Sequence, residues 1–548
     1  MKKYNPLSSK LRFGSSALLA IVIAMASNAY AQITGAQIDE SAVTTTIYVD
    51  QSNPAASDSN PGTQSEPFAT IGRALTSAAS NIANGARIEI GDGTYREALS
   101  LSAFSVSDPA PLIIEAMNPG QAVVSGADVW TGWQSQSGGT YVHAWPYTWG
   151  NAPTPAYWPT LQPIVTRREM VFVNKVQLTQ VLSLPLPGPG TFNVVDGSTI
   201  TIWPPAGTDM SSAVVEVSTR AGLLVMPRGI SNLVLRGLVF EYDNTAVNAV
   251  GNAAVKLIGG SNILVDDCAF NQNNWDALSL SGNPVSRVTI QNSEADGNGE
   301  NGIAMSKVEN LLFQNDQTSS NNWRGAAGGF VGFDADGMKI TRIHDASLVN
   351  YVSSYNQTGG LWLDTDSRNV TISNSQFCGN LTNGFFVEAS EGPVNLQNVL
   401  LLRNVSNGIQ VANATNFAVT NSIAYGNKAG TFIGGSDSPR KVIDFATGQS
   451  YSLYSQNFSL NGNVLAGTSS QQYVLTSSLH SSWALFVQTL SSDYNDWYGA
   501  TNYAPFSTLF GRQNLAGWQS STQQDGNSTS AVPSVQLPSY CGTPDQFQ

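Results

Sequence analysis

The sequence predicts an all-β chain built as a stack of short coils, with a small β-rich insertion. Three observations carry that prediction. An asparagine recurs at Asn273, Asn298, Asn321, Asn356, Asn380, Asn404 and Asn427, at steps of 25, 23, 35, 24, 24 and 23 residues. Each follows a run of two or three alternating apolar residues and a polar turn, as in SRNVTISNSQFCGN and TNFAVTNSIAYGN. Four residues beyond it a small residue recurs, at Ala277, Gly302, Gly360, Gly384 and Gly408, and a second short strand follows. A unit this short cannot bury its own apolar face, so successive units must stack. Stacking explains both columns: an asparagine amide bonds the equivalent residue above and below, and a small residue lets the chain bend without a clash. A leucine-rich horseshoe needs a different leucine pattern and a longer outer segment, and fits this double-strand rhythm poorly.

The elements follow in order. Residues 1–31 read as a secretory signal peptide: Lys2, Lys3, Lys10 and Arg12, then the apolar run SSALLAIVIAMA, then Ala29-Tyr30-Ala31 as a cleavage site. That run is shorter than the ~18 apolar residues of a membrane span. No membrane anchor is therefore expected, and the mature chain is expected to be secreted or periplasmic. Residues 32–46 read as a flexible lead-in. Residues 46–125 read as an N-terminal cap and the first coils, with a short helix from Ile71 whose apolar residues Ile71, Leu75, Ala78 and Ile82 keep helical spacing. A stack needs such a cap, because its first rung otherwise exposes an edge and an apolar end.

Residues 126–225 lose the coil rhythm. They gather Trp130, Trp133, Trp145, Trp149 and Trp158 with several prolines, and they hold two hairpin patterns, one turning at Asp196-Gly197. They read as a β-rich insertion, a sandwich being one form it can take. The coils resume over 226–435, interrupted by a site loop at 322–344 where one turn runs about 11 residues long. Long loops on rigid scaffolds commonly shape binding sites. Residues 436–548 read as a C-terminal cap and an irregular tail. Cys268, Cys378 and Cys541 show no metal spacing, and their odd number points to no disulfide framework, with Cys268 and Cys378 as small core or turn residues.

With 25 basic and 38 acidic residues the chain carries a net charge of −13, and loss of the four leader cations takes it to −17. That charge excludes a polyanion-wrapping surface and a nucleic-acid partner. It leaves an acidic sugar open, since a local Arg or Lys cluster can bind one. A monomer is the expected state.

The chemistry centres on two carboxylates. Asp364 lies eight residues past Asn356, and Glu388 eight past Asn380, so stacking sets them side by side. Period-two alternation turns Leu361, Leu363, Phe385 and Val387 inward and Trp362, Asp364, Asp366, Phe386 and Glu388 outward. Strands ~4.8 Å apart would hold the two carboxylates about 5 Å apart. Like charges so placed repel, which fold alone disfavours. The spacing suits a retaining glycosidase, with Asp364 as nucleophile and Glu388 as acid/base. Asp366, sharing the face, is a second candidate nucleophile. Trp362 and Phe386 are expected to form an aromatic platform for a pyranose ring. Trp323, Arg324, Lys339 and His344, from the long turn, are candidate substrate-binding residues. No metal ligands are assigned and no cofactor is required, although an acidic pair, or Asp334 with Asp336, leaves room for calcium.

Together these features resemble the right-handed parallel β-helix carbohydrate enzymes. The resemblance runs over about residues 46–435 and includes the opening YVDQSNPAASDSNPGTQSEPFATIGRAL, then IEIGDGTY and IIEAMNPGQAVVSG. The nearest type is the β-sandwich-interrupted β-helix glycosidases of the β-xylosidase kind, in which an Asp and a Glu about one coil apart serve as nucleophile and acid/base. That resemblance implies the same roles for Asp364 and Glu388. The polygalacturonase and calcium pectate lyase motif sets are missing. The expected function is a glycoside hydrolase acting on a poly- or oligosaccharide. The alternatives are a polysaccharide lyase on a uronate-containing glycan, with Lys339 or Arg342 as base, and a noncatalytic glycan-binding surface protein.

Overall fold

In a computed structural model, residues 33–105, 110–195, 197–247, 252–468, 472–499, 504–534 and 541 are described. The signal peptide predicted at 1–31 lies outside the described residues. No described helix is long and apolar enough to cross a membrane.

Each coil contributes three short strands, and each strand pairs in parallel with its counterpart one coil away. In the first column Leu278, Ile303, Met338, Leu361, Phe385 and Ile409 are successive register partners. In the second, Val288, Leu311, Ala346, Val370, Val394, Phe417 and Phe458 align. In the third, Phe377, Leu401, Ala424, Leu465 and Trp497 align. All of these side chains are buried in one continuous core. Each large one buried contributes ~1.5–3 kcal/mol, and none would be covered without the coils on either side.

The asparagine column is a hydrogen-bond ladder. The Asn298 N–H and Nδ2 both donate to Asn321 Oδ1, at 3.0 and 2.9 Å, and the same pair of bonds links Asn321 to Asn356, Asn356 to Asn380, Asn380 to Asn404 and Asn404 to Asn427. The small-residue column exists because of it. A Cβ on Gly302, Gly360, Gly384 or Gly408 would lie 2.7–2.9 Å from the Nδ2 of Asn321, Asn380, Asn404 or Asn427.

The N-terminal end is closed by the helix Ile71–Asn81, whose Ile71, Ala74, Leu75 and Ala78 are buried and whose N-cap Thr70 accepts from Arg73 N–H. The segment expected to be a flexible lead-in is tied down: Gly35 and Ala36 donate their N–H groups to Asn310 Oδ1 and Thr289 Oγ1. Residues 127–218 form two small, mainly antiparallel sheets of four and five strands. Trp145, Val171, Val173, Phe192, Ile200, Ile202, Val215 and Val217 are buried together there.

The coil does not stop near residue 435. After a hairpin of Arg440–Ile443 and Ser450–Leu453, the strands Gln456–Asn461, Val464–Gly467, Tyr473–Ser477 and Asp496–Gly499 continue all three columns. The asparagine ladder ends at Asn427, which hides this continuation in the sequence. A ladder at another corner takes over, with Ser422 N–H donating to Asn463 Oδ1 and Asn463 N–H to Asn495 Oδ1. The tail holds the helix Leu515–Thr522, whose buried Trp518 bonds Asp525. Cys378 is no plain turn residue: it is disulfide-bonded to Cys541, 163 residues on, and pins the tail to the coil, while Cys268 is a free buried thiol.

Candidate active site

Asp364 and Glu388 end the neighbouring strands Gly359–Asp364 and Phe385–Glu388 and are direct register partners. Their side chains are 20% and 18% exposed, enough for a small group to reach. Each is held by a cation from elsewhere in the chain. Lys339 Nζ lies 3.1 Å from Asp364 Oδ2, and Thr365 Oγ1 donates to Asp364 Oδ1 at 2.8 Å. Glu388 Oε1 is bonded to Arg440 of the hairpin.

Lys339 is buried, with Nζ 2.9 Å from the centroid of the Trp362 ring. On its other side stand further acids. Burial pushes Asp334, Asp336 and Glu300 above the usual carboxyl range, with the Asp276 and Asp334 charges adding to the effect on Glu300 and the Lys339 charge opposing it in all three. Burial likewise raises Asp276 to about 6.

Asp366 does not share the face of Asp364. Thr365 and Asp366 take positive φ values of 49° and 56°, which ends the strand's alternation and turns the Asp366 side chain under the surface. There it is fully buried. It accepts from Tyr451 OH at 2.6 Å and from Phe445 N–H at 2.7 Å, and lies 3.3 Å from Arg368 Nη2 and 3.3 Å from His344 Nε2. Burial opposes its charge, but the bonds from His344, Tyr451 and Phe445 outweigh that and hold it below the usual range. It is an anchor for the hairpin and not an exposed nucleophile.

The aromatic expectation also changes. In-register strands set Trp362 and Phe386 one above the other, centroids 4.8 Å apart and planes 27° apart. One face of Trp362 is taken by Phe386, and Lys339 lies against the ring. The half-buried pair is therefore stacked ring on ring with Lys339 against it, not an open platform.

Of the long-turn residues, Lys339 alone joins the pair. Arg324 is buried and bonds Asn274 Oδ1, Gln180 Oε1 and the Glu169 carbonyl, and burial lowers it to about 9. Trp323 packs against Met170, Phe172 and Tyr242. These two fasten the insertion to the coil. His344 is buried against Phe445, centroids 4.2 Å apart, beneath the hairpin. Arg342 stands at a corner with φ 65°, its N–H on Thr365 O. Among the described residues, His344, Asp366 and Asp444 bring three ligand atoms within 4.8 Å. Arg368 already bridges the two carboxylates there, at 3.3 and 2.6 Å.

Arg440, Phe445 and Tyr451 went unread in the sequence. They arrive on a 21-residue excursion, 435–455, between Ala429–Gly434 and Gln456–Asn461, where the preceding coil needs two residues, 413–414. That excess length is the signal that could have found them.

A family model described as a right handed beta helix region matches residues 229–427. No curated protein matches the chain. Among solved structures, the complex of XylC with xylose is similar over 90% of this chain and 87% of that one, at 14% identity and a TM-score of 0.69. The A-module of the Azotobacter vinelandii mannuronan C-5 epimerase AlgE4 is similar over 88% of this chain and 100% of that one, at 13% identity and a TM-score of 0.47. At 14% identity the likeness to XylC is one of fold. The chain is a right-handed parallel β-helix protein carrying a two-sheet insertion.

Proposed function

We propose that this chain is a glycoside hydrolase that acts on a poly- or oligosaccharide with retention of configuration. One observation carries the reading: Asp364 and Glu388 are register partners on adjacent outward-facing strands. That pairing supports a separation of about 5 Å, the spacing of a retaining pair. Glu388 gives its proton to the glycosidic oxygen as Asp364 attacks the anomeric carbon and the bond to the leaving group breaks. Glu388 then takes a proton from water, whose oxygen displaces Asp364 from that carbon. Lys339 holds the Asp364 carboxylate in place for the attack.

A lyase needs a free cation to neutralise a uronate, and Lys339 is buried and committed to Asp364 and Trp362. The hydrolase reading is the better supported. The similar fold of a protein crystallised with xylose makes pentose-containing glycans the first to test. The leader sequence supports export of the protein to the periplasm or beyond.

The test is release of reducing ends from a panel of plant and algal glycans by the native chain and by the variants D364N and E388Q, with proton NMR of the first anomer formed. New reducing ends without unsaturated uronate, lost in both variants and appearing first in the substrate's own anomeric form, support the proposal. Unsaturated product, or activity that survives both substitutions, overturns it.

A further inference from the structure

Glu388 has a neighbour problem that its own strand does not solve. On one side stands the like charge of Asp364, bonded in turn to Lys339; on the other its register partner is Ala412, which offers nothing polar. Two carboxylates so placed would share a proton or push apart. The remaining charged groups at that corner, Arg368 and Glu391, lie with Asp366 and Asp444 and are paired there. Among the described residues, the cation that meets Glu388 is Arg440, 52 residues on in the chain.

Arg440 is 43% exposed, yet its backbone is firmly placed. It opens the strand Arg440–Ile443, which pairs with Ser450–Leu453. Val442, Leu453 and Tyr451 pack on Ala389, the residue after Glu388. The tip is latched by Phe445 N–H and Tyr451 OH on Asp366 and by Arg368 on Asp444. A loop that merely covered the coil would not need its first residue on Glu388 and its tip on a buried carboxylate at once.

We infer that Arg440 is a positioning residue for Glu388, held by the latched hairpin so that the Glu388 carboxylate is aimed beside Asp364. The catalytic meaning of this rests on the hydrolase reading.

The inference is tested without a substrate. Carbodiimide couples an amine to protonated carboxyls, so labelling of the Glu388 peptide against pH, read by mass spectrometry, follows its ionisation in the folded chain. The variant R440Q, with its fold checked by circular dichroism, is expected to raise the labelling midpoint by about one pH unit. R440K is expected to stay near the native midpoint. On any glycan hydrolysed, the alkaline limb of kcat/KM is expected to move up with it. An unmoved midpoint in folded R440Q overturns the inference. Activity surviving D364N and E388Q overturns the hydrolase reading instead, and leaves the labelling result to decide the role of Arg440.

Discussion

Lys339 reaches across one strand to Asp364. Lys339 is the register partner of Trp362, and Asp364 stands two residues further along that strand, yet Nζ comes within 3.1 Å of Asp364 Oδ2 by lying over the Trp362 ring. The lysine's charge also acts on the buried acids Glu300, Asp334 and Asp336, opposing the effect of burial on each.

Removing that ammonium is the most direct test of the role of Asp364. K339M is expected to cut kcat/KM by about 10²-fold, the scale of losing one electrostatic contact to a reacting group. Removing a cation from beside a carboxylate raises the pH at which a carboxylate ionises. The acid limb of the kcat/KM profile is expected to move up by about one pH unit. A fall in rate with an unmoved limb would make Lys339 a packing residue alone.

The buried acids also set how stability depends on pH. Burial raises Asp276 to about 6 and Asp296 to about 7, and it raises Glu300, Asp316 and Asp336 well above their usual values. Each binds its proton more tightly folded than unfolded. Its contribution is therefore complete below the unfolded carboxyl value of ~4 and is lost as pH rises through the folded value, at ~1.4 kcal/mol per pH unit per group. Glu40 and Asp366 are shifted downward and act oppositely, losing their contribution as pH falls below ~4. The melting temperature is expected to peak near pH 4 and to fall by pH 8. E300Q, which keeps the shape without the titration, is expected to flatten that fall. A melting temperature constant from pH 5 to 8 would contradict the raised values.

The coil was legible in the sequence because two columns repeat together, and the structure supplies their coupling. Gly384 leaves room for Asn404, since a Cβ there would lie 2.7 Å from Asn404 Nδ2. The carboxylate pair was legible for the same reason, register plus period-two alternation. What was not legible breaks one of those rules. Asp366 follows a positive-φ residue, so alternation no longer applies. Arg324 is a buried arginine in a loop, satisfied by groups 50, 144 and 155 residues away. The hairpin contacts join residues 52 to 85 apart through an excursion with no repeat of its own.

That coupling makes a quantitative prediction. G384A forces a Cβ into the Asn404 amide, an overpacking that costs ~1–3 kcal/mol. N404A leaves the Asn380 N–H and amide without their acceptor, also at ~1–3 kcal/mol. Because both damage the same contact, the double variant is expected to melt only slightly below the worse single one. Melting temperatures of the four proteins decide it, and strict additivity would mean the two columns are independent.

The thiols give the last test. Cys378 is bonded to Cys541 and Cys268 is buried and free, with burial pushing its thiol up to about 12. Denatured without reductant, the chain is therefore expected to show one reactive thiol, and none before denaturation. C541S is expected to show two after denaturation. It is also expected to leave the coil folded, because the core of the coils is built from residues up to Trp518, well before Cys541, while the segment beyond 530 becomes sensitive to protease. Three reactive thiols in the denatured, unreduced chain would mean the tail is not joined to the coil.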